Sequence, residues 1–316
     1  MRWPLIKFLP THTNFKFVSF APIAAVISAL LLIGSTVSFV TQGLNLGIDF
    51  KGGTLIEVVT PGTAPLGQLR AELTRIGVHD AQVQGFGAPN AAMLRFRPTE
   101  EGSATAEVEK IRADLSKAFP GIQFKRVEVV GPKVSGELFR SGFMALGVAI
   151  LLMLVYIWFR FQLQFGLGAV LAVFHDIVLT LGLLSVLQIE FAMTSIAALL
   201  TVIGYSMNEK VITFDRLREN LRKYRKTPLR DVIDLSENER LSRTLITGTT
   251  ALLALSGALF LGGKALFPLV VTMMFGIVIG TYSSVYVALP VILLWGVRRN
   301  DEPEPAPGAK AKPARP

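Results

Sequence analysis

Long apolar runs alternate along this chain with stretches of mixed polarity. The runs cover Phe17 to Thr41, Ser141 to Phe159, Phe165 to Leu187, Phe191 to Phe214, Thr244 to Gly262 and Leu266 to Trp295. Each comes close to or exceeds the ~20 residues that an α-helix needs to cross ~30 Å of hydrocarbon. The pattern therefore predicts a membrane all-α bundle of six transmembrane helices. The last run contains Pro268 and Pro290 near its ends and is longer than one crossing requires, which implies tilt or ends outside the hydrocarbon. The first run is too long, and too far from the start, for a cleaved signal segment.

Between the first and second runs the periods shorten. Thr54 to Val59, Ala81 to Phe86, Ala91 to Arg97 and Ile122 to Val130 read as strands. Leu66, Leu69, Leu73 and Ile76 share one helical face that stops at Gly77. Val108, Ile111, Leu115 and Phe119 share another, with Ser103 as N-cap and Pro120-Gly121 as stop. The order strand, helix, strand, strand, helix, strand predicts an external ferredoxin-like α+β domain between the first and second spans. The chain thus divides into an N-terminus (1–16), the first span (17–41), the external domain (42–137), a five-helix bundle (138–299) and a tail (300–316). The bundle includes a charged loop near 215–243, expected to form short surface helices. The tail is rich in Pro, Ala and Lys, lacks an apolar period and is expected to be disordered.

Composition and charge then narrow the classes. Of 316 residues 51% are hydrophobic and 17% charged, and the formal net charge is +9. The basic excess collects on one side of the predicted bundle: Arg2, Lys7, Lys16 and Arg160, nine residues from Arg216 to Arg243, and five from Arg298 to Arg315. The short loops opposite contain only Glu190 and Lys264. This is the positive-inside pattern, which puts both termini in the cytoplasm and accounts for the basic excess by contact with a lipid bilayer, without nucleic acid. Cysteine is absent, so disulfides and thiol nucleophiles are excluded. The only histidines, His12, His79 and His175, lie in different segments, which argues against a metal cluster. No P-loop pattern is present. No cofactor is called for, no enzyme chemistry is visible, and any work done must draw on an ion gradient.

Ionisable residues within the spans are few, and each needs a partner or a purpose. Glu209 stands five residues before Phe214, ~8 Å from the cytoplasmic end of the fourth span. Arg243, at the start of the fifth, is the expected counter-charge. Tyr205, Asn208 and Glu209 fall near one helical face, and Gly204 would admit a neighbouring helix. Such a seam serves either a proton relay or a static buried ion pair. His175 and Asp176, midway along the third span, point ~100° apart, so pairing between them is not automatic; a hydrogen bond to another helix or a relay role both fit. For Lys210 three roles are open: pairing with Asp176, lining water or snorkelling to the cytoplasmic surface. The segment Gly47-Ile48-Asp49-Phe50-Lys51-Gly52-Gly53 reads as a Gly-rich turn joining the first span to the first external strand.

Several of these segments resemble the SecF members of the SecD/SecF family, within the resistance-nodulation-division superfamily. The likeness runs from about Pro10 to Trp295. It includes Gly43 to Gly53 (with Gly47, Asp49, Gly52 and Gly53), Val130 to Leu138 (with Gly131 and Pro132) and His175-Asp176. Its most specific part is Leu200 to Asn220, which contains Gly204, Tyr205, Asn208, Asp215 and Arg216; Leu241 to Thr244 completes it. The resemblance implies a subunit of the bacterial inner membrane that pairs with SecD. Such a pair uses a proton gradient, or in some bacteria sodium, to help draw preproteins outward from SecYEG. The family's usual Asp-Thr in the fourth span is Glu209-Lys210 here, its Gln-Thr before Leu-Ser-Arg-Thr is Glu239-Arg240, and its Ser after Ile-Thr is Gly248. Two other readings compete: an efflux-type transporter of lipids or small hydrophobic molecules, and a passive scaffold of the translocon.

Overall fold

The computed structural model describes residues 13–78, 80–97 and 104–296. Ser103, His12, His79 and the tail lie outside them. The first long helix, α1 (Phe17–Gln42), leads into a single helical turn, α2 (Ile48–Lys51). The strands β1 (Gly53–Val59), β2 (Gln82–Gly85), β3 (Ala91–Phe96) and β4 (Gln123–Val130) enclose the helices α3 (Leu66–Arg75) and α4 (Ala104–Ala118) in the chain. All the pairings are antiparallel, in the spatial order β2-β3-β1-β4. Alternation turns Ile56, Val58 and Leu94 onto Leu69, Leu73, Ile111 and Leu115 of the two helices, which form the buried core of this domain. The opposite sheet face presents Leu55 and Met93 to Ile48 of α2. Gly53 is required where β1 starts: its φ is +122°, and a Cβ there would lie 2.7 Å from the Phe96 carbonyl oxygen.

The bundle comprises α5 (Pro132–Arg160), α6 (Leu163–Val186), α7 (Met193–Lys223), α8 (Leu229–Leu261) and α9 (Gly263–Ser283). A π turn (Ser284–Ala288) continues α9 into α10 (Leu289–Trp295). Gly131 and Pro132 start α5, with Pro at the first turn, where its missing N–H costs nothing. The π turn stands just before Pro290, which cannot donate to the preceding turn. On α9 the spacing Gly276-x-x-x-Gly280 lets the helix meet α7 closely, since a Cβ on either glycine would press on Val202 or Ser206.

By length and composition five helices qualify as membrane spans: α1, α5, α6, α8 and the stretch Leu266–Trp295. The helix α7, expected as the fourth of six spans, is not among them, because Asn208, Glu209 and Lys210 make it less apolar. The expected loop of short surface helices near 215–243 is replaced by continuations of α7 and α8, joined only through residues 224–228. Leu217, Leu221, Val232 and Ile233 bury themselves together there, and Asn220 donates to Ser236 Oγ at 3.0 Å. An apolar face sustained past the membrane run keeps both helices going.

Candidate functional site

Three helices and the π turn bring a set of ionisable side chains into the middle of the bundle. His175, Asp176, Glu209, Lys210, Glu237 and Arg240 are each between 0 and 4% exposed, so bulk water screens none of them. Two clusters result. In the first, Asp176 of α6 accepts from Lys210 Nζ at 3.0 Å, from Ser206 Oγ and from Ser283 Oγ at 2.7 Å, while its other oxygen meets His175 Nδ1 at 3.0 Å. Lys210 also donates to Ser283 Oγ at 3.0 Å. His175 continues outward through Nε2, 3.2 Å from Ser28 Oγ, which lies 2.9 Å from Tyr282 Oη. His175 and Asp176, adjacent in the chain, therefore do meet, although the helical angle alone did not require it.

The second cluster surrounds Glu209. Its Oε2 accepts from Arg240 Nη1 at 3.3 Å and from Thr244 Oγ1 at 3.1 Å; its Oε1 has no hydrogen-bond partner among the described residues. Arg240 also donates from Nε to both oxygens of Glu237 at 2.8 Å and from Nη2 to Ser284 Oγ at 3.0 Å. Adjacent residues at the end of α9 and the start of the π turn thus serve both clusters: Ser283 the first, Ser284 the second.

Here the structure corrects the sequence reading. Arg243 is exposed and stays away from Glu209, and Arg240, one helical turn earlier, is the counter-charge. On α8 the buried positions Ile233, Ser236, Glu237, Arg240, Thr244 and Gly248 form one stripe, and Arg243 lies beside it at ~100° from Thr244. The spacing of Glu237, Arg240 and Thr244 by three and four residues was the available signal for this stripe. Asn208 is exposed as well, outside the seam assigned to it, and Gly204 faces open space, with nothing within 4 Å of where a Cβ would stand. Tyr205 is half-buried, its hydroxyl 3.5 Å from the Cβ position of Gly248. Sequence reasoning missed Glu237, Ser283 and Ser284.

The motif residues outside the clusters anchor the ends of α7. Asp49 Oδ2 accepts the backbone N–H of Met193 at 2.8 Å, capping the first turn of α7 from the segment that leads into β1. Gly47 donates its N–H to the Phe191 carbonyl at 2.9 Å, and a side chain on Gly47 would meet Glu190 Oε1 at 2.8 Å. Gly52 closes α2 at φ +67°. Arg95 of β3 bonds Glu190 at 2.8 Å beside a cleft of about 430 Å³ lined by Leu55, Met93 and Phe267. Burial raises the Glu190 carboxyl above its ordinary value despite the opposing pull of Arg95. At the other end Asp215 takes two bonds from Arg160 at 2.9 and 3.0 Å, and Arg216 bonds Glu239 at 2.8 Å. Among the described residues no three His, Asp or Glu side chains converge as a metal site.

Comparisons with known proteins agree with one another. The family described as "Protein export membrane protein SecD/SecF, C-terminal" matches residues 110–298, and "SecD/SecF GG Motif" matches 37–60. A protein translocase subunit SecF of Cereibacter sphaeroides is 43% identical over 302 residues, covering 93% of each chain. One from Rickettsia akari is 38% identical over 298 residues, 93% of this chain and 96% of that one. The crystal structure of SecDF from Thermus thermophilus, titled a translocon-associated membrane protein, superposes with a TM-score of 0.82 at 32% identity. The superposition covers 91% of this chain and 39% of that one, so the chain spans about two fifths of the solved SecDF protein. By family matches that cover more than half its length, and by relatives similar over nearly all of it, this chain belongs to the SecD/SecF family of protein export membrane proteins.

Proposed function

We propose that this chain is an auxiliary subunit of the Sec preprotein translocase which, together with SecD, uses the proton gradient to promote outward movement and release of preproteins from SecYEG. Glu209 is its proton-binding group, with Arg240 holding the ionised form. The observation that carries this reading is a fully buried carboxylate with one oxygen on a guanidinium and the other without a partner among the described residues. A proton arriving at Oε1 weakens the grip of Arg240, which is how ion binding is turned into helix movement. Asp176, Lys210 and His175 form the companion cluster, linked through Ser283 and Ser284.

In this reading α7 is a sixth span, its polar residues tolerated because they face the bundle interior. Both termini are cytoplasmic, in keeping with the basic residues near 216–243. The order β2-β3-β1-β4, with both domain helices packed on one face, supports a ferredoxin-like external domain. The exposed stripes Thr201, Gly204 and Asn208 on α7, and Arg243, Thr247 and Thr250 on α8, are too polar to face lipid comfortably and are assigned to SecD. No substrate bond is made or broken.

The test is gradient-dependent preprotein release from membrane vesicles containing SecD, with chains at equal abundance. Glu209→Gln is expected to abolish the gradient-dependent part and Glu209→Asp to retain it. Unchanged release with Gln would make the subunit a scaffold, with coupling placed at Asp176 or in SecD.

A further inference from the structure

Glu237 belongs to none of the motifs above, yet it is 2% exposed and bound on both oxygens by Arg240 Nε, with Nη2 also close to Oε2. The same guanidinium reaches Glu209 through Nη1. One cation therefore serves two buried carboxylates. The other cation nearby, Lys210, is taken up by Asp176 at 3.0 Å. Among the described residues the other ionisable neighbours of Glu237 are Asp234 on its own helix and Tyr286 on the π turn, and neither supplies positive charge. A guanidinium keeps its proton under all ordinary conditions, so two ionised carboxylates would leave this triad with an uncompensated negative charge in a dry site. Like-charged carboxylates that share a site avoid this by keeping one proton between them.

We propose that Glu209 and Glu237 hold a single proton between them across Arg240, making Glu237 a second proton-exchanging residue of the coupling step. The exchange balances: an O–H bond breaks at one carboxyl as another forms at the second, and the guanidinium turns to whichever is left ionised. The total charge stays fixed, so the triad changes geometry without burying a new charge. Glu237 precedes Thr244, the other contact of Glu209 on α8, by seven residues, ~10 Å along the helix. It therefore carries the proton site toward the connection at 224–228, the end assigned to the cytoplasm. This inference rests on the proton-coupled reading and names a further group in the same site.

The experiment has two arms. In the full chain, purified in lipid nanodiscs at neutral pH, infrared spectroscopy reads the C=O stretch of protonated buried carboxyl groups. The unmodified chain is expected to show this band, Glu237→Gln and Glu209→Gln each to lose it, since two acids then match two cations, and Glu237→Asp to keep it. Absence of the band in the unmodified chain, with His175 protonated instead, would overturn the proposal, as would its survival in Glu237→Gln. In SecD-containing vesicles, Glu237→Gln is expected to lose gradient-dependent release and Glu237→Asp to recover it. Loss of the band with release intact would also overturn the role in exchange. If Glu209→Gln itself releases preprotein normally, the coupling reading fails, while the infrared arm still decides whether the proton is shared.

Discussion

Arg240 holds two carboxylates, Thr244 and Ser284 at once. Truncating it leaves buried negative charge without a partner, and Arg240→Ala is expected to destabilise the purified chain by ~3–5 kcal/mol in detergent unfolding. Arg243→Ala, at an exposed position, is expected to stay within ~0.5 kcal/mol in the same assay. The contrast separates two arginines only three residues apart. Buried charges such as Glu209, Lys210 and Asp176 are legible in the sequence, because any ionisable residue inside an apolar run stands out. Which arginine faces inward is not, since depth along a helix follows from counting whereas facing depends on which side its neighbours occupy. Glu190 adds a pH dependence. Its carboxyl is raised above the ordinary 4.5, so its contribution to stability is full below that value and is lost as pH rises through the raised one. Thermal unfolding of the unmodified chain between about pH 4 and about pH 7 is accordingly expected to fall relative to Glu190→Gln as pH increases.

At the scale of elements, α7 joins the segment leading into the β-sheet domain to the charged interior. Asp49 caps its first turn, and Asp49→Ala is expected to cost ~1 kcal/mol. The loss should emerge in hydrogen exchange as faster opening of residues 193–196, with protection of β1 to β4 unchanged. The strands and domain helices are readable from alternation and from Gly and Pro stops, because that domain is half-exposed and its periodicity is clean. The long extensions of α7 and α8 past the membrane run are not. Charged residues there suggest a loop, and only the buried file of Leu217, Leu221, Val232 and Ile233 explains why the helices continue. Nor is the π turn legible, although Pro290 marks its neighbourhood. Glu209 and Lys210, which together with Asn208 lower the mean hydropathy of α7, also place this helix in both buried clusters.

At the scale of the whole molecule, the proposed function has the exposed stripes on α7 and α8 complete the membrane surface against SecD. The solved SecDF chain, of which this one covers 39%, is consistent with a partner half. Gly204 has open space around it, so Gly204→Leu is expected to leave the stability of the isolated chain nearly unchanged and to reduce co-purification with SecD. Equal recovery of the partner would move the interface elsewhere.

The helix α7 has 31 residues and spans ~46 Å, longer than the ~30 Å of a bilayer's hydrocarbon core. Asp49 fixes one end, and Arg216, Asn220 and Glu239 lock the other to α8. A strut held at both ends has little slack, so under the proposed function a load on the sheet domain would reach Glu209. Because linkage is reciprocal, the proposed proton-driven subunit would then also be a force gauge: tension on a preprotein would shift the proton occupancy of Glu209, and a stalled cargo would hold back proton flow that is otherwise wasted.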